Sequence, residues 1–245
     1  MTFARTALFA VAFVVAAVLS PFSSAGSEKV ALLAAIDGAI GPASSKQLEE
    51  ALDTAARRNA VVLILEIDTP GGLVTSMREM IADILASPVP VIGYVAPAGG
   101  HAASAGTYIL YATHVAAMAP GTNLGAATPV EIGGLPSLPG GDQGDKGKDD
   151  QKNASGRPAG DAMMAKVTND AVALIRSLAE LRGRNGDWGE KAVREAASLS
   201  ANAAQQEHVI DFVARDTTEL LQLADGRTVD VAGRKVVLAT RGLPV

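Results

Sequence analysis

Short, unbroken apolar runs along the first half of the chain predict the strands of a sheet. The run VVLILEI is rich in β-branched residues and shows no alternation, which is typical of a strand covered on both faces. Comparable runs of strand length occur before and after it, each bounded by polar or turn residues. Together they predict buried strands at residues 30–36, 61–67, 91–96 and 115–119.

Between these strands, apolar residues recur every three or four positions, which predicts amphipathic helices. One helix is predicted over residues 44–58, and a second passes through Met80 and Ile84 and ends before Pro88. Strands that alternate with helices at this spacing pair in parallel, so the sequence predicts an α/β domain with a mostly parallel sheet. The rest of the chain predicts helices over 163–181, 189–197 and 217–224, a strand over 208–214, and a hairpin around Ala232 and Gly233.

The N-terminal segment, residues 1–25, has the pattern of a secretory signal peptide. Arg5 precedes an apolar run over residues 7–19, and small residues at 23–25 form a cleavage site. The run is shorter than the roughly 20 apolar residues of a membrane span, which favours a cleaved signal over an uncleaved anchor. We therefore expect one domain over residues 26–245, exported to the periplasm or another extracytoplasmic location.

Residues 133–161 interrupt the pattern of strands and helices. They are almost wholly glycine, proline, serine and charged or amide residues, with too little apolar surface to offset the entropy of ordering. The composition predicts a flexible polar loop within the domain. Such a loop is either a lid near a binding site or an inert insertion, and composition leaves both interpretations open.

Charge and composition exclude several classes of function. A net charge of −5 and scattered basic residues argue against a nucleic-acid partner. The absence of cysteine excludes disulfides, thiolate metal sites and cysteine nucleophiles. The three histidines have no metal-ligand spacing, so we expect neither a metal nor another cofactor.

Two glycine-rich turns follow two successive predicted strands, TPGG at 69–72 and GGHAASAG at 99–106. The carboxyl ends of parallel strands are where α/β proteins build their sites, and free amides at such turns can stabilise an oxyanion. Neither turn matches a nucleotide-binding glycine motif. Ser104, at the predicted start of a helix within the second turn, is therefore a candidate nucleophile.

A serine nucleophile needs a base, and the residues leave two candidates. His101 would share a helical face with Ser104 if both were helical, although neighbours on one helix rarely align for proton transfer. Lys166 lies in the apolar segment AMMAKVTN, and a lysine base must be buried to lose its proton near neutral pH. Helical periodicity, however, points Lys166 away from the apolar stripe of its helix.

The segments DTPGG and GYVAPAGGHAASAGTYILYATHVAAMAPGTNLGAATPV resemble the NfeD-type (nodulation-efficiency) peptidases. These are membrane-associated serine peptidases of the ClpP class, related to signal-peptide peptidase A. The resemblance implies a ClpP/crotonase-like spiral of ββα units and ATP-independent peptide hydrolysis by a Ser-Lys dyad of Ser104 and Lys166. It also implies an oxyanion hole formed by the amides of Gly71, Gly72 and Ala105.

The same resemblance implies substrates and assembly. Family members cleave hydrophobic segments, including those of stomatin-like membrane proteins, and usually form dimers or larger oligomers. Many continue into membrane helices and a small β-barrel, so a sequence that ends at Val245 is expected to be a short form or a fragment. Two other functions remain open: a catalytically inactive partner-binding module at the membrane surface, and crotonase-type acyl-CoA chemistry.

Overall fold

The computed structural model describes residues 29–130 and 159–245 of the protein. The predicted signal segment 1–25 and residues 133–158 of the predicted loop lie outside these residues. The centre of the domain is a five-stranded parallel sheet with strand order β1-β2-β3-β5-β8. Its strands are β1 (Ala31–Asp37), β2 (Val62–Asp68), β3 (Val91–Val95), β5 (Val115–Met118) and β8 (Phe212–Val213).

The sheet is covered on both faces, as the apolar run in β2 predicts. Leu63 and Leu65 pack into the larger core, while Val62 and Ile64 pack into a second core on the opposite face. The larger core contains six helices. They are α1 (Pro42–Arg57), α2 (Val74–Ala86), α3 (Ala105–Ala112), α4 (Ala159–Arg182), α5 (Gly186–Arg194) and α6 (Ala201–Gln206).

The second core is closed by the C-terminal part of the chain. Helix α7 (Thr217–Ala224) contributes Leu220 and Leu221, and the antiparallel hairpin of β9 (Thr228–Val231) and β10 (Arg234–Val237) contributes Val229 and Val231. This arrangement of helices and a mostly parallel sheet confirms the predicted α/β class.

A small second sheet lies beside the carboxyl ends of the main strands. It consists of β4 (His101–Ala103), β6 (Asn123–Gly125) and β7 (Ser198–Ser200), with β4 parallel to β6 and β6 antiparallel to β7. The prediction that the turn at 99–106 leads directly into a helix was therefore incomplete, because three of its residues form a strand before α3 begins.

The strand predicted over 208–214 is also shorter than its apolar pattern suggests. Strand β8 has only two residues, Phe212 and Val213, because the amides of Val209 and Ile210 donate back to the carbonyl of Ala204 in α6. Within the described residues, no helix is both long and apolar enough to cross a membrane.

Candidate active site

Ser104 occupies a strained turn between β4 and α3. Its backbone has φ 51° and ψ −115°, a conformation that costs a non-glycine residue about 1–3 kcal/mol. Its amide donates to the carbonyl of Gly125 at 2.9 Å, which ties the turn to β6. The side chain forms no hydrogen bond with the described residues, so the hydroxyl is available to a substrate.

Thr107 holds this turn in place from the first turn of α3. Its buried hydroxyl lies 2.8 Å from the carbonyl oxygen of Ala102 and 3.1 Å from that of Gly125, either of which accepts its proton. The same oxygen accepts from the amide of Gly125 at 3.1 Å. One side chain thus connects β4, β6 and the helix that begins after Ser104.

The Pro-Gly-Gly turn after β2 lies against Ser104. Gly71 has φ +106°, and a Cβ built on it would lie 2.6 Å from Ser104 Cβ and 3.0 Å from Ser104 Oγ. Such distances are far inside van der Waals contact, so only glycine allows this approach. The turn is anchored from behind by the amide of Ile40, which donates to the carbonyl of Gly71 at 2.8 Å.

The predicted oxyanion-hole amides differ in their hydrogen bonding. The Gly71 amide donates to Thr69 Oγ1 at 3.1 Å. In the described part of the chain, the amides of Gly72 and Ala105 donate to no protein acceptor, and Ala105 is the first residue of α3, where helix amides have no partner within the helix. Gly72 and Ala105 line one pocket together with Ser104, so this pair is better placed to stabilise an oxyanion than Gly71.

The pocket beside Ser104 has a volume of about 60 Å³ and is mainly apolar. Tyr108 forms part of its wall and donates its hydroxyl proton to the carbonyl of Ala127 at 3.0 Å. Burial raises the pKa of Tyr108 well above its usual value, so this phenol stays protonated and is not a base. The other lining residues are Gly72, Val74, Met77, Arg78, Ala105, Pro129, Val167, Asp170, Ala171 and Leu174.

Lys166 lies on α4, the helix that forms one side of this pocket, but the structure does not join it to Ser104. Its side chain is exposed, as the helical periodicity predicted, and it forms no hydrogen bond with Ser104 in this single chain. The next residue, Val167, does line the pocket. The two predicted members of the dyad therefore lie on elements that border one pocket, without a direct contact.

His101, the alternative base, points to a different partner. Its Nδ1 lies 3.2 Å from Asp68 Oδ1, and the same carboxylate oxygen accepts from the His101 amide at 3.0 Å. His101 lies in β4, so the shared helical face considered for it and Ser104 does not exist. It is also not among the residues that line the pocket.

Several residues of the site were not predicted from the sequence. Thr107, Tyr108, Arg78 and Asp170 act through contacts between distant parts of the chain, and no local motif marks them. Part of the signal was present on α4, where the stripe of apolar residues at three- and four-residue spacing includes Val167, Ala171 and Leu174. These three residues line the pocket, and Ala171 and Leu174 also pack against the larger core.

Comparison with known proteins identifies similar chains. Residues 31–138 match the family model described as NfeD1b, N-terminal domain. The membrane-bound protease PH1510 of Pyrococcus horikoshii is 35% identical over 218 residues, which cover 86% of this chain and 44% of that protein. The chain thus spans less than half the length of this relative.

Two similar solved structures belong to the 1510-N membrane-bound stomatin-specific protease. A serine-to-alanine mutant is 34% identical with a TM-score of 0.74, and the match covers 89% of this chain and 96% of the other. A lysine-to-alanine mutant in complex with a substrate peptide is 34% identical with a TM-score of 0.73, over 88% and 90% of the two chains. The similarity confirms the predicted ClpP-like fold.

Proposed function

We propose that this chain, which belongs to the NfeD family of membrane-associated ClpP-class peptidases, is a serine peptidase that uses Ser104 as its nucleophile. One observation carries the proposal: Ser104, in a strained turn, shares an apolar pocket with the amides of Gly72 and Ala105, and among the described residues neither its hydroxyl nor these amides have a hydrogen-bond partner. Strained backbone at a nucleophile and donors prepared for developing negative charge are what acyl transfer requires.

The reaction begins when Lys166 takes the proton from Ser104 Oγ, which attacks the carbonyl carbon of the scissile peptide bond. The amides of Gly72 and Ala105 stabilise the oxyanion, each such donor typically contributing about 3 kcal/mol. Lys166 then gives its proton to the departing amine. A water molecule, deprotonated by the same lysine, releases the acyl group and restores the serine hydroxyl.

The exposed position of Lys166 requires a closing step before this reaction. An apolar peptide in the pocket contacts Val167 and covers the adjoining turn of α4, which removes water from the lysine. Loss of hydration favours the uncharged amine that a base requires. The lysine-to-alanine mutant solved with a substrate peptide supports a role for a lysine in the solved relative, and we extend that role to Lys166.

The apolar wall of the pocket supports hydrophobic peptide segments as substrates. The solved relative is described as specific for stomatin, and we propose a stomatin-like membrane protein as the class of substrate here. We further propose export, because residues 1–25 have the pattern of a signal peptide. We also propose association with the membrane and assembly into dimers or larger oligomers, since the family implies both and the curated relative is membrane-bound.

The test measures cleavage of a fluorogenic hydrophobic peptide by the parent, Ser104→Ala and Lys166→Ala. We expect both variants to lose at least about 100-fold in kcat, because each removes a group that reacts directly. Lys46→Ala is the matched control, since Lys46 is an exposed lysine paired with Glu49 on α1. Undiminished activity in either dyad variant would refute the proposed dyad.

A second function is favoured by the separation of Lys166 from Ser104. If this separation persists on binding, the protein is a partner-binding module without turnover. In that case the parent binds hydrophobic peptides as tightly as Ser104→Ala does, and no acyl-serine appears by mass spectrometry during incubation with an activated ester. Formation of that acyl-serine on the peptide containing Ser104 would rule this function out.

A further inference from the structure

The pocket beside Ser104 contains one ion pair in an otherwise apolar wall. Arg78 on α2 pairs with Asp170 on α4, and the two residues are 92 positions apart in the sequence. Among the described residues that line the pocket, these two alone carry a charge. We propose that Arg78 and Asp170 determine the substrate specificity of this pocket. Each cancels the charge of the other, so the pocket accepts an apolar substrate side chain and rejects charged ones. This inference rests on the proposed peptidase function.

The position of the pocket shows which residue of the substrate places its side chain there. Ser104 and the amides of Gly72 and Ala105 form one side of it, and these groups act on the carbonyl of the scissile bond. A side chain that enters the pocket therefore belongs to the residue next to that bond. The opposite wall is built from Val167, Ala171 and Leu174 of α4, which suit a branched apolar side chain.

The ion pair excludes charged side chains by leaving them without a partner. A charged group that enters an apolar pocket gives up its hydration and must gain a counter-charge to compensate. Arg78 and Asp170 lie together, so a substrate glutamate near Arg78 also meets the carboxylate of Asp170, and a substrate lysine near Asp170 also meets the guanidinium of Arg78. An apolar side chain has no such requirement and gains from the burial of its surface.

Removing one partner should convert the same pocket into a charge-selective one. In Asp170→Asn the guanidinium of Arg78 is unpaired, and the pocket should favour a substrate glutamate. In Arg78→Gln the carboxylate of Asp170 is unpaired, and the pocket should favour a lysine. We expect the Glu-to-Lys binding ratio to rise at least tenfold in the first variant and to fall at least tenfold in the second.

The pair can be altered without loss of the fold. Its side chains are 44% and 70% exposed, and ion pairs this open to solvent contribute little to stability. The matched control is Asp53→Asn on α1, which also removes an exposed carboxylate opposite an arginine, Arg57. We expect this control to leave the Glu-to-Lys ratio unchanged.

The experiment measures binding by fluorescence anisotropy in a Ser104→Ala background, with three peptides that carry leucine, glutamate or lysine at the varied position. Hydrolysis of the same peptides is measured with Ser104 intact. The exchanged pair, Arg78→Asp with Asp170→Arg, should restore the preference for leucine that each single variant weakens. This rescue separates a charge-pairing role from a merely structural one.

A Glu-to-Lys ratio that moves less than twofold in both single variants overturns the proposal, whether or not the parent hydrolyses peptides. Failure of all three peptides to bind overturns it as well. If the Glu-to-Lys binding ratio shifts in opposite directions in the two single variants while no peptide is hydrolysed, the specificity proposal is supported and the peptidase function is refuted. The two proposals therefore fail separately.

Discussion

Gly71 and Ser104 approach each other so closely that any side chain at Gly71 would displace the serine. The distance from a built Cβ at Gly71 to Ser104 Cβ is 2.6 Å, and the turn that holds Gly71 is fixed by bonds to Thr69 and Ile40. The two turns that follow β2 and β4 therefore act as one unit. The position of Ser104 therefore depends on a residue in a different turn.

We predict that Gly71→Ala lowers kcat by at least about 100-fold. The added Cβ forces Ser104 or the Pro-Gly-Gly turn to move, and a shift of about 1 Å at a reacting group can cost a factor of 100. The positive φ at Gly71 adds backbone strain of about 1–2 kcal/mol. Peptide hydrolysis and urea unfolding of the variant measure the two effects separately.

Gly226→Ala is the matched control for backbone strain. Gly226 has φ +77° and open space around its built Cβ, and it lies in the turn between α7 and β9, away from the pocket. We expect it to lose about 1–2 kcal/mol of stability through backbone strain and to keep its activity. Equal activity in Gly71→Ala and the parent would show that the close approach to Ser104 has no catalytic importance.

A second prediction concerns His101. We expect His101→Asn to retain peptidase activity within about threefold, because its imidazole faces Asp68 and does not border the pocket. A general base typically contributes a factor of 100 or more to the rate. A loss of that size in His101→Asn, with Lys166→Ala active, would make histidine the base and reverse our assignment.

The main sheet could be predicted from sequence, and the small sheet could not. Strand β2 is seven residues long and begins with four buried apolar residues, 62–65, so its pattern is visible without any knowledge of its neighbours. Strands β4 and β6 have three residues each and contain alanine, glycine, asparagine and histidine, which have little tendency to form strands. They exist because they pair with each other, and that pairing is a property of the fold.

The candidate site also has features that could be predicted from the sequence and features that could not. The place of Ser104 at the edge of the sheet was predictable, because a glycine-rich turn after a strand marks the edge where α/β proteins build their sites. The difference between the amides of Gly71 and Gly72 was not predictable, because it depends on the Thr69 hydroxyl, which accepts from the Gly71 amide. The pairing of Arg78 with Asp170 has no local signal at all, since it joins two helices far apart in the sequence.

A third prediction concerns Thr107, which holds the turn of Ser104 in place. Thr107→Val keeps the shape of the side chain but removes its hydroxyl, which leaves the buried amide of Gly125 without its acceptor. An unsatisfied buried amide costs about 1–3 kcal/mol, and we expect the free energy of unfolding to fall by this amount. Urea denaturation measures it, and Thr218→Val, at an exposed position of α7, is the control. A loss no larger than in that control would show that Thr107 does not stabilise the turn.

The last prediction concerns stability at acid pH and rests on His114. This histidine is buried, and its Nδ1 accepts a hydrogen bond from the amide of Val91 at 3.1 Å. Burial, together with the nearby guanidinium groups of Arg182 and Arg184, lowers the pKa of His114 from 6.5 to about 3. The folded protein therefore keeps this imidazole neutral at pH values where the unfolded chain binds a proton.

Because the unfolded state takes up that proton first, the free energy of unfolding falls as the pH drops from about 6.5 towards 3. Above this range, His114 does not make the free energy of unfolding depend on pH. At about 1.4 kcal/mol per pH unit, His114 should account for a loss of about 2–3 kcal/mol between pH 7 and pH 4.5. In His114→Asn an amide oxygen can still accept from Val91, but nothing at this position titrates. Urea unfolding at the two pH values should therefore show that the variant loses about 2–3 kcal/mol less of its free energy of unfolding than the parent does. An equal loss in both proteins would mean that His114 does not control the acid sensitivity of the fold.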